Sequence, residues 1–248
     1  MLRNTPYMVD VALVVLGIIV VWQFLHMGAG DVAISSPAAT AVRAGELLLS
    51  GSFWPHAAET GLALFYALLL ALTIGLGVGT LLGAHRLSGA VAEPILVALY
   101  SLPKITLYPV ILLIFGLGIE AKVAFGAIHG VIPVTIFTMN AVKNINPVFL
   151  RTSRVLGMGP VQTATHILFP ATLPEIVSGL RVGFSLTLLG VIIGELFASH
   201  SGMGFLVMRA IGTHDVATMM AVTLILAVAA IVIASVLIYV DNRLHRRV

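Results

Sequence analysis

Arg151 and Arg154 stand three residues apart in the polar stretch Arg151-Thr152-Ser153-Arg154-Val155-Leu156-Gly157-Met158-Gly159, which continues to Ile167-Leu168-Phe169-Pro170 between apolar spans. Residues three apart share one face of a helix. Two uses of that face are open: setting topology by touching lipid phosphate, or acting as a rigid basic knob that docks into a groove on a soluble partner. Lys104 and Glu195 are ionisable residues within apolar sequence, where a charge is expensive unless it meets water or a partner. Facing a pathway, Lys104 attracts an anion; if its helix starts later, it snorkels to the headgroups. Glu195 is either a gate or docking group or, the preferred reading, the partner of a basic neighbour at the outer surface. Arg181, one turn into the same span as Glu195, reads as a snorkelling residue.

Other reactive residue types do not assemble into a site. Ser201 and His214 offer the pair an intramembrane protease needs, but the serine lacks a Gly-x-Ser-Gly setting and both fall in a polar outer loop. His85, His166, His200 and His214 are scattered without metal-ligand spacing. The chain has no Cys, which excludes disulfides, thiol nucleophiles and thiolate metal sites. No Gly-x-x-x-x-Gly-Lys-Ser/Thr stretch occurs, so the chain does not itself hydrolyse ATP.

The elements that must position these residues lie in lipid. Of 248 residues, 59% are hydrophobic and only 9% charged, and the mean hydropathy is +1.10. A bilayer core of roughly 30 Å takes about 20 helical residues to cross. Six stretches qualify: Val9 to Met27, Gly61 to Ala84, Ile95 to Phe115, Ala121 to Val142, Ile176 to Ala198 and Val216 to Val240. Continuous apolar runs of this length suit helices, not the alternating strands of a barrel. The first run is longer than the roughly 7 to 15 residues of a signal-peptide core, so it reads as a retained span. The net charge of +3 is a matter of topology and not of nucleic acid. With the N-terminus inside, Arg3, Arg86, Lys143, Arg151, Arg154, Arg243, Arg246 and Arg247 are cytoplasmic, against Arg43, Lys122 and Arg209 outside.

Between the first two spans, Ala29 to His56 reads as a polar outer segment, with Gly51-Ser52-Phe53-Trp54-Pro55 an interfacial turn and Trp54 a headgroup anchor. Gly75, Gly77, Gly79 and Gly83 in the second span let a neighbouring helix approach closely. Pro94, Pro103 and Pro109 predict a kinked third span, because each removes a ladder hydrogen bond. Gly202 and Gly204 turn the chain at the outer end of the fifth span, where the surface could also meet a partner. No repeat or linker divides residues 1–248, so a single domain is expected.

The loop over residues 143–175 has its own punctuation. Asn146-Pro147 starts a helix, with Asn accepting hydrogen bonds from free amides and Pro where its missing donor costs nothing. That helix runs to Leu156 and closes at a left-handed Gly157. Gly159-Pro160 opens a second, through Ile167, that Pro170 ends; Thr172 and Pro174 restart the chain as the fifth span, with Glu175 near the positive end of its dipole. Arg151 and Arg154 then face away from Val148, Val155 and Leu156, which turn toward the ends of the membrane helices.

This loop resembles that of the permease subunits of bacterial binding-protein-dependent ABC importers: Glu-Ala-Ala, three residues, Gly, nine residues, then Ile-x-Leu-Pro. Gly157, Ile167 and Pro170 fall at those spacings, while Arg151-Thr152-Ser153 stands in place of Glu-Ala-Ala and Phe169 in place of Leu. Ser101-Leu102-Pro103-Lys104-Ile105, Phe115-Gly116-Leu117-Gly118, Gly194-Glu195-Leu196-Phe197 and Ser201-Gly202-Met203-Gly204 look like the branch that imports sulfonates, taurine and nitrate. The resemblance covers about Glu59 to Asp241. It implies an all-α, six-span type I importer permease with a cytoplasmic coupling helix-turn-helix, in the bacterial inner membrane with both termini cytoplasmic. Arg151, Thr152, Ser153, Arg154, Leu156, Gly157, Met158, Gly159, Ile167 and Pro170 would then contact the ATPase, and Lys104 and Glu195 would lie toward the pathway. The implied partners are two ATPase subunits, which bind the ATP and Mg, a periplasmic binding protein, membrane lipid, and a second permease copy. A homodimer is expected, because six helices make a thin wall that two copies can close. A secondary transporter or channel is the alternative, though such proteins usually carry more helices or a repeat.

Overall fold

The computed structural model describes residues 5–197 and 199–245, without the side chains of residues 5–8, 160 and 245. Arg3, Arg246 and Arg247 of the charge argument, and Ala198 at the expected end of the fifth span, lie outside the described residues. All regular structure described is helical: α1 Thr5–Ala29, α2 Pro37–Leu49, α3 Phe53–Ala84, α4 Arg86–Ser101, α5 Tyr108–Phe115, α6 Ile119–Lys143, α7 Pro147–Val155, α8 Pro160–Thr163, α9 Phe169–Phe197, α10 Met203–Gly212 and α11 Val216–His245. A 3₁₀ turn, Lys104–Leu107, precedes α5, and a widened π turn, Ala164–Leu168, joins α8 to α9.

Five stretches are long and apolar enough to cross a bilayer: Val9–Ala29, Phe53–Ala84, Ile119–Lys143, Val161–Phe197 and Val216–Leu244. The sixth crossing is a broken one. Gly75, Gly79 and Gly83 of α3 meet Val134, Thr138 and Met139 of α6 in ascending order, so the two helices run parallel. The chain between them must therefore return across the bilayer, and α4 with α5 is that return, bent by 82°. The single kinked helix expected from Ile95 to Phe115 is thus two helices. Pro103 is the cause: it drives Leu102 out of the helical region to ψ 137°, whereas Pro109 sits in the first turn of α5, where it is tolerated.

Close approach is possible because the contact faces lack Cβ atoms. A Cβ on Gly79 would lie 2.6 Å from Thr138 Cβ and 2.8 Å from the Thr135 carbonyl oxygen. On its other side α6 meets α9 antiparallel, with Gly126 against Val191 and Gly183 against Val134. Gly77 differs from its three neighbours, since nothing lies within 4 Å of where its Cβ would stand. It does not serve this contact.

Several expectations need correction. The polar segment Ala29 to His56 contains an unexpected helix, α2, capped by Ser36 and tied to α11 by a hydrogen bond from Arg43 Nε to Thr218 Oγ1 at 3.0 Å. α3 begins at Phe53 and not at Gly61; Trp54, 56% exposed, lies in its first turn and donates to the Leu48 carbonyl. Pro170 does not end a helix. The π turn lets the Phe169 N–H reach back five residues to Ala164, and this wider turn accommodates the proline ring that an α ladder would reject. Arg181, expected only to snorkel, also makes an ion pair: its guanidinium is 3.1 Å from the buried Asp241 carboxylate on α11, which also accepts from Ser178 Oγ at 2.9 Å.

Gly79→Ala is expected to part α3 from α6 at a cost of about 1–3 kcal/mol, lowering the thermal midpoint of the purified protein in detergent. Gly77→Ala, with open space around it, is expected to leave that midpoint unchanged or raise it.

Candidate coupling loop and translocation site

The α7 knob is built by local chemistry. The Asn146 side chain accepts from the Val148 N–H at 3.0 Å, and Pro147 fills the first helical position. At the other end Gly157 takes φ +63°. There the Met158 N–H reaches the Ser153 carbonyl at 2.9 Å and the Gly157 N–H the Arg154 carbonyl at 3.1 Å, the paired bonds of a Schellman closure. The Gln162 side chain then accepts from the Gly159 N–H at 3.1 Å, starting α8. Two short helices with a fixed sharp turn between them are the result.

The orientation of α7 differs from the expected one. Ser153 is buried and Leu150 half-buried against the bundle, while Arg151, Thr152, Arg154 and Val148 are exposed. Val155 and Leu156 are 87% and 66% exposed, so they point away from the membrane helices and not toward them. The reason is the register: Ser153 and Leu150, three apart, define the inner face, and Val155 falls on the opposite side. Met158, Gly159 and Ile167 are half-buried and Pro170 is exposed. Between this knob and the ends of α3 and α6 lies an apolar cleft of about 630 Å³ reached by Leu150, Leu168 and Phe169.

Lys104 sits in the break between α4 and α5, 9% exposed. Its Nζ donates to the Tyr100 carbonyl at 3.0 Å and stands 5.4 Å from the Tyr100 ring centre. No carboxylate lies within ion-pair distance among the described residues. His129, on α6, donates from Nδ1 to the Phe125 carbonyl at 2.8 Å.

Glu195 is brought to a different cluster, at the bundle end opposite the knob. It is 1% exposed. Its carboxylate accepts from Thr60 Oγ1 at 2.8 Å and from the Gly204 N–H at 2.8 Å. A Cβ on Gly202, where φ is +110°, would strike that carboxylate. Gly202 and Gly204 therefore do more than turn the chain, since they let it wrap the acid. The basic partner expected for Glu195 is engaged elsewhere: Lys122, 1% exposed, bonds Glu59 at 3.0 Å and the Ser201 carbonyl at 2.8 Å. Hydropathy had signalled none of Glu59, Thr60 and Lys122 as partners; the one available cue was ionisable residues inside apolar helices. Ser201 faces Lys122, with Oγ 3.4 Å from Nζ.

Lys122→Met is expected to cost about 3 kcal/mol, the lower end for breaking a buried pair because Glu59 keeps some solvent contact. A loss of thermal stability smaller than that of Glu46→Gln, which breaks only the exposed Arg43–Glu46 pair, would contradict this.

Comparison with known proteins agrees with this architecture. Residues 71–248 match the family described as the binding-protein-dependent transport system inner membrane component. A protein of Haemophilus influenzae named as an ABC transporter permease is 29% identical over 94% of this chain and 95% of its own length. One of Bacillus subtilis, named as an aliphatic sulfonates transport permease, is 29% identical over 78% of this chain and 71% of its own. In the inward-facing MetNI methionine ABC transporter, one chain superposes with a TM-score of 0.62 at 21% identity, over 76% of this chain and 92% of that one. The chain belongs to the family of binding-protein-dependent inner-membrane permeases: it is a multi-pass, non-catalytic subunit of an ABC importer, whose ATP is bound by an ATPase partner and whose solute is delivered by a binding protein.

Proposed function

We propose that α7, the Gly157 turn and α8 form the ATPase contact, that the solute is a small anion passing Lys104, and that two copies of this chain enclose the pathway. The observation that carries the first part is the exposed face of α7. Val155 and Leu156 stand beside Arg151 and Arg154 on a short polar helix, and apolar surface rimmed by charge marks a protein contact. The Schellman turn holds that face rigid, so force applied at the tip is carried into the bundle.

The orientation follows from charge. Arg86, Lys143, Arg151, Arg154 and Arg243 lie at the knob end, against Arg43, Lys122 and Arg209 at the other. Two of the latter are neutralised by Glu46 and Glu59. The knob and both termini are therefore cytoplasmic, and residues 1–248 act as one permease domain. Lys104 supports an anionic solute because it is a desolvated cation with no carboxylate partner among the described residues, at a helix break, where non-helical backbone is tolerated beside a water-filled cavity. The aliphatic sulfonates named for the Bacillus subtilis relative are of that charge class. Glu195, enclosed by Thr60 and Gly204 within one protomer, positions the α9–α10 turn and does not line the pathway.

Gly157→Val forces a β-branched residue into left-handed backbone at a cost of about 1–2 kcal/mol; open space around Gly157 makes that strain purely conformational. ATP hydrolysis by the reconstituted complex should then continue while solute uptake falls, and Gly157→Asn, which tolerates that conformation, should retain uptake. Equal uptake by both variants and the native chain would remove the coupling role. Lys104→Met, at normal protein level, should reduce uptake of an anionic solute severalfold, with Lys104→Arg closer to native; undiminished uptake by Lys104→Met would sink the anion assignment.

A further inference from the structure

Beside the knob lies a polar concavity of about 290 Å³, walled by Asn140 and Asn144 of the α6 end, Asn146 and Phe149 at the start of α7, and Glu175 of α9. We propose that this concavity receives a guanidinium side chain of the ATPase subunit, as a second contact of opposite charge to the knob's own face. The proposal rests on the knob being the ATPase contact.

Its chemistry is that of a cation receptor. Glu175 is the one carboxylate between Glu120 and Glu195 in the sequence, so the knob segment itself carries no other. Arg181, the cation nearest in sequence, pairs with Asp241 at 3.1 Å, and two others near the knob are also engaged. Lys143 Nζ bonds Glu93 on α4 at 2.8 Å, and Arg154 Nε is folded onto its own helix at the Leu150 carbonyl. Glu175 and the Asn140 and Asn144 side-chain amides have no hydrogen-bond or ion-pair partner among the described residues. The C-terminal end of α6 adds the negative pole of its dipole to the same space. Phe149, 39% exposed, supplies an aromatic wall. A planar fork of N–H donors that also stacks on a ring satisfies carboxylate, amide oxygens and phenyl face together. A hard metal ion would instead require several more anionic oxygens.

The absence of Cys permits a direct test on the full chain in its complex. Glu175→Cys and Val155→Cys are each labelled with a maleimide, with the ATPase bound and after it has been stripped from the membranes. Both thiols should label at least about tenfold more slowly with the ATPase bound. Affinity for the ATPase should also fall about tenfold in Glu175→Gln, the change expected from losing one partly desolvated charge pair, and Glu175→Asp should restore much of it. The difference between native and Glu175→Gln should shrink in 1 M salt, where screening acts within about 3 Å. Protection of Val155→Cys without protection of Glu175→Cys, or native affinity and salt dependence in Glu175→Gln, overturns this proposal and leaves the knob assignment standing. Protection of neither thiol overturns both.

Discussion

The structure depends on backbone approaching backbone on the two faces of α6. In lipid, apolar side chains gain nothing by leaving one greasy environment for another, so helices associate through packing and interhelical polar contacts. Gly75, Gly79 and Gly83 on α3, Gly126 and Gly130 on α6, and Gly183 and Gly190 on α9 remove the atoms that would hold these helices apart. α6 is the most buried span as a result. Its parallel alignment with α3 forces the intervening chain back across the membrane, and that return is the segment containing the break at Lys104. A packing constraint thus produces the element that carries the proposed solute contact.

Polar groups in the bundle divide by whether their needs are met within one copy of the chain. Lys122, Glu59, Glu195 and Thr60 satisfy one another and the backbone of residues 201–204, fastening α3, α6, α9 and the start of α10 at one end. Asp215 fastens the same end of α11: its carboxylate caps the helix through the Thr218 N–H at 2.9 Å, and that hydrogen bonding holds its acidity stronger than an ordinary aspartate. Among the described residues, Lys104 and Glu175 lack a carboxylate and a cation respectively. Satisfied charges build the scaffold here, and the other two are the ones to which contacts with other molecules are proposed.

The sequence made the six crossings legible because each is a long apolar run, and it made the knob legible because Asn146-Pro147 and Gly157 impose local geometry regardless of context. What it hid was set by distance or by compensation. The Arg181–Asp241 pair joins residues on different helices, and no local pattern distinguishes it from a snorkelling arginine. α2 and α10 are too short to register as spans, and their polar faces read as loop. Pro170 is a fair stop signal in isolation, but a π turn reconciles it with continuity. The inner face of α7 was misassigned because its most apolar residues, Val155 and Leu156, face out while a serine faces in. Reading hydrophobicity as burial fails where apolar residues face outward, as on the proposed ATPase contact.

The continuity through Pro170 has a mechanical meaning. Since α8 runs through the π turn into α9, the second arm of the knob and a membrane-spanning rod form one covalent shaft of 37 residues, about 55 Å long at helical rise. Under the proposed coupling role, displacement at its base would reach the opposite face of the bilayer along one helical run, interrupted only by the π turn and Pro174. The π turn, the weakest-wound part of the shaft, is where such a lever would flex first.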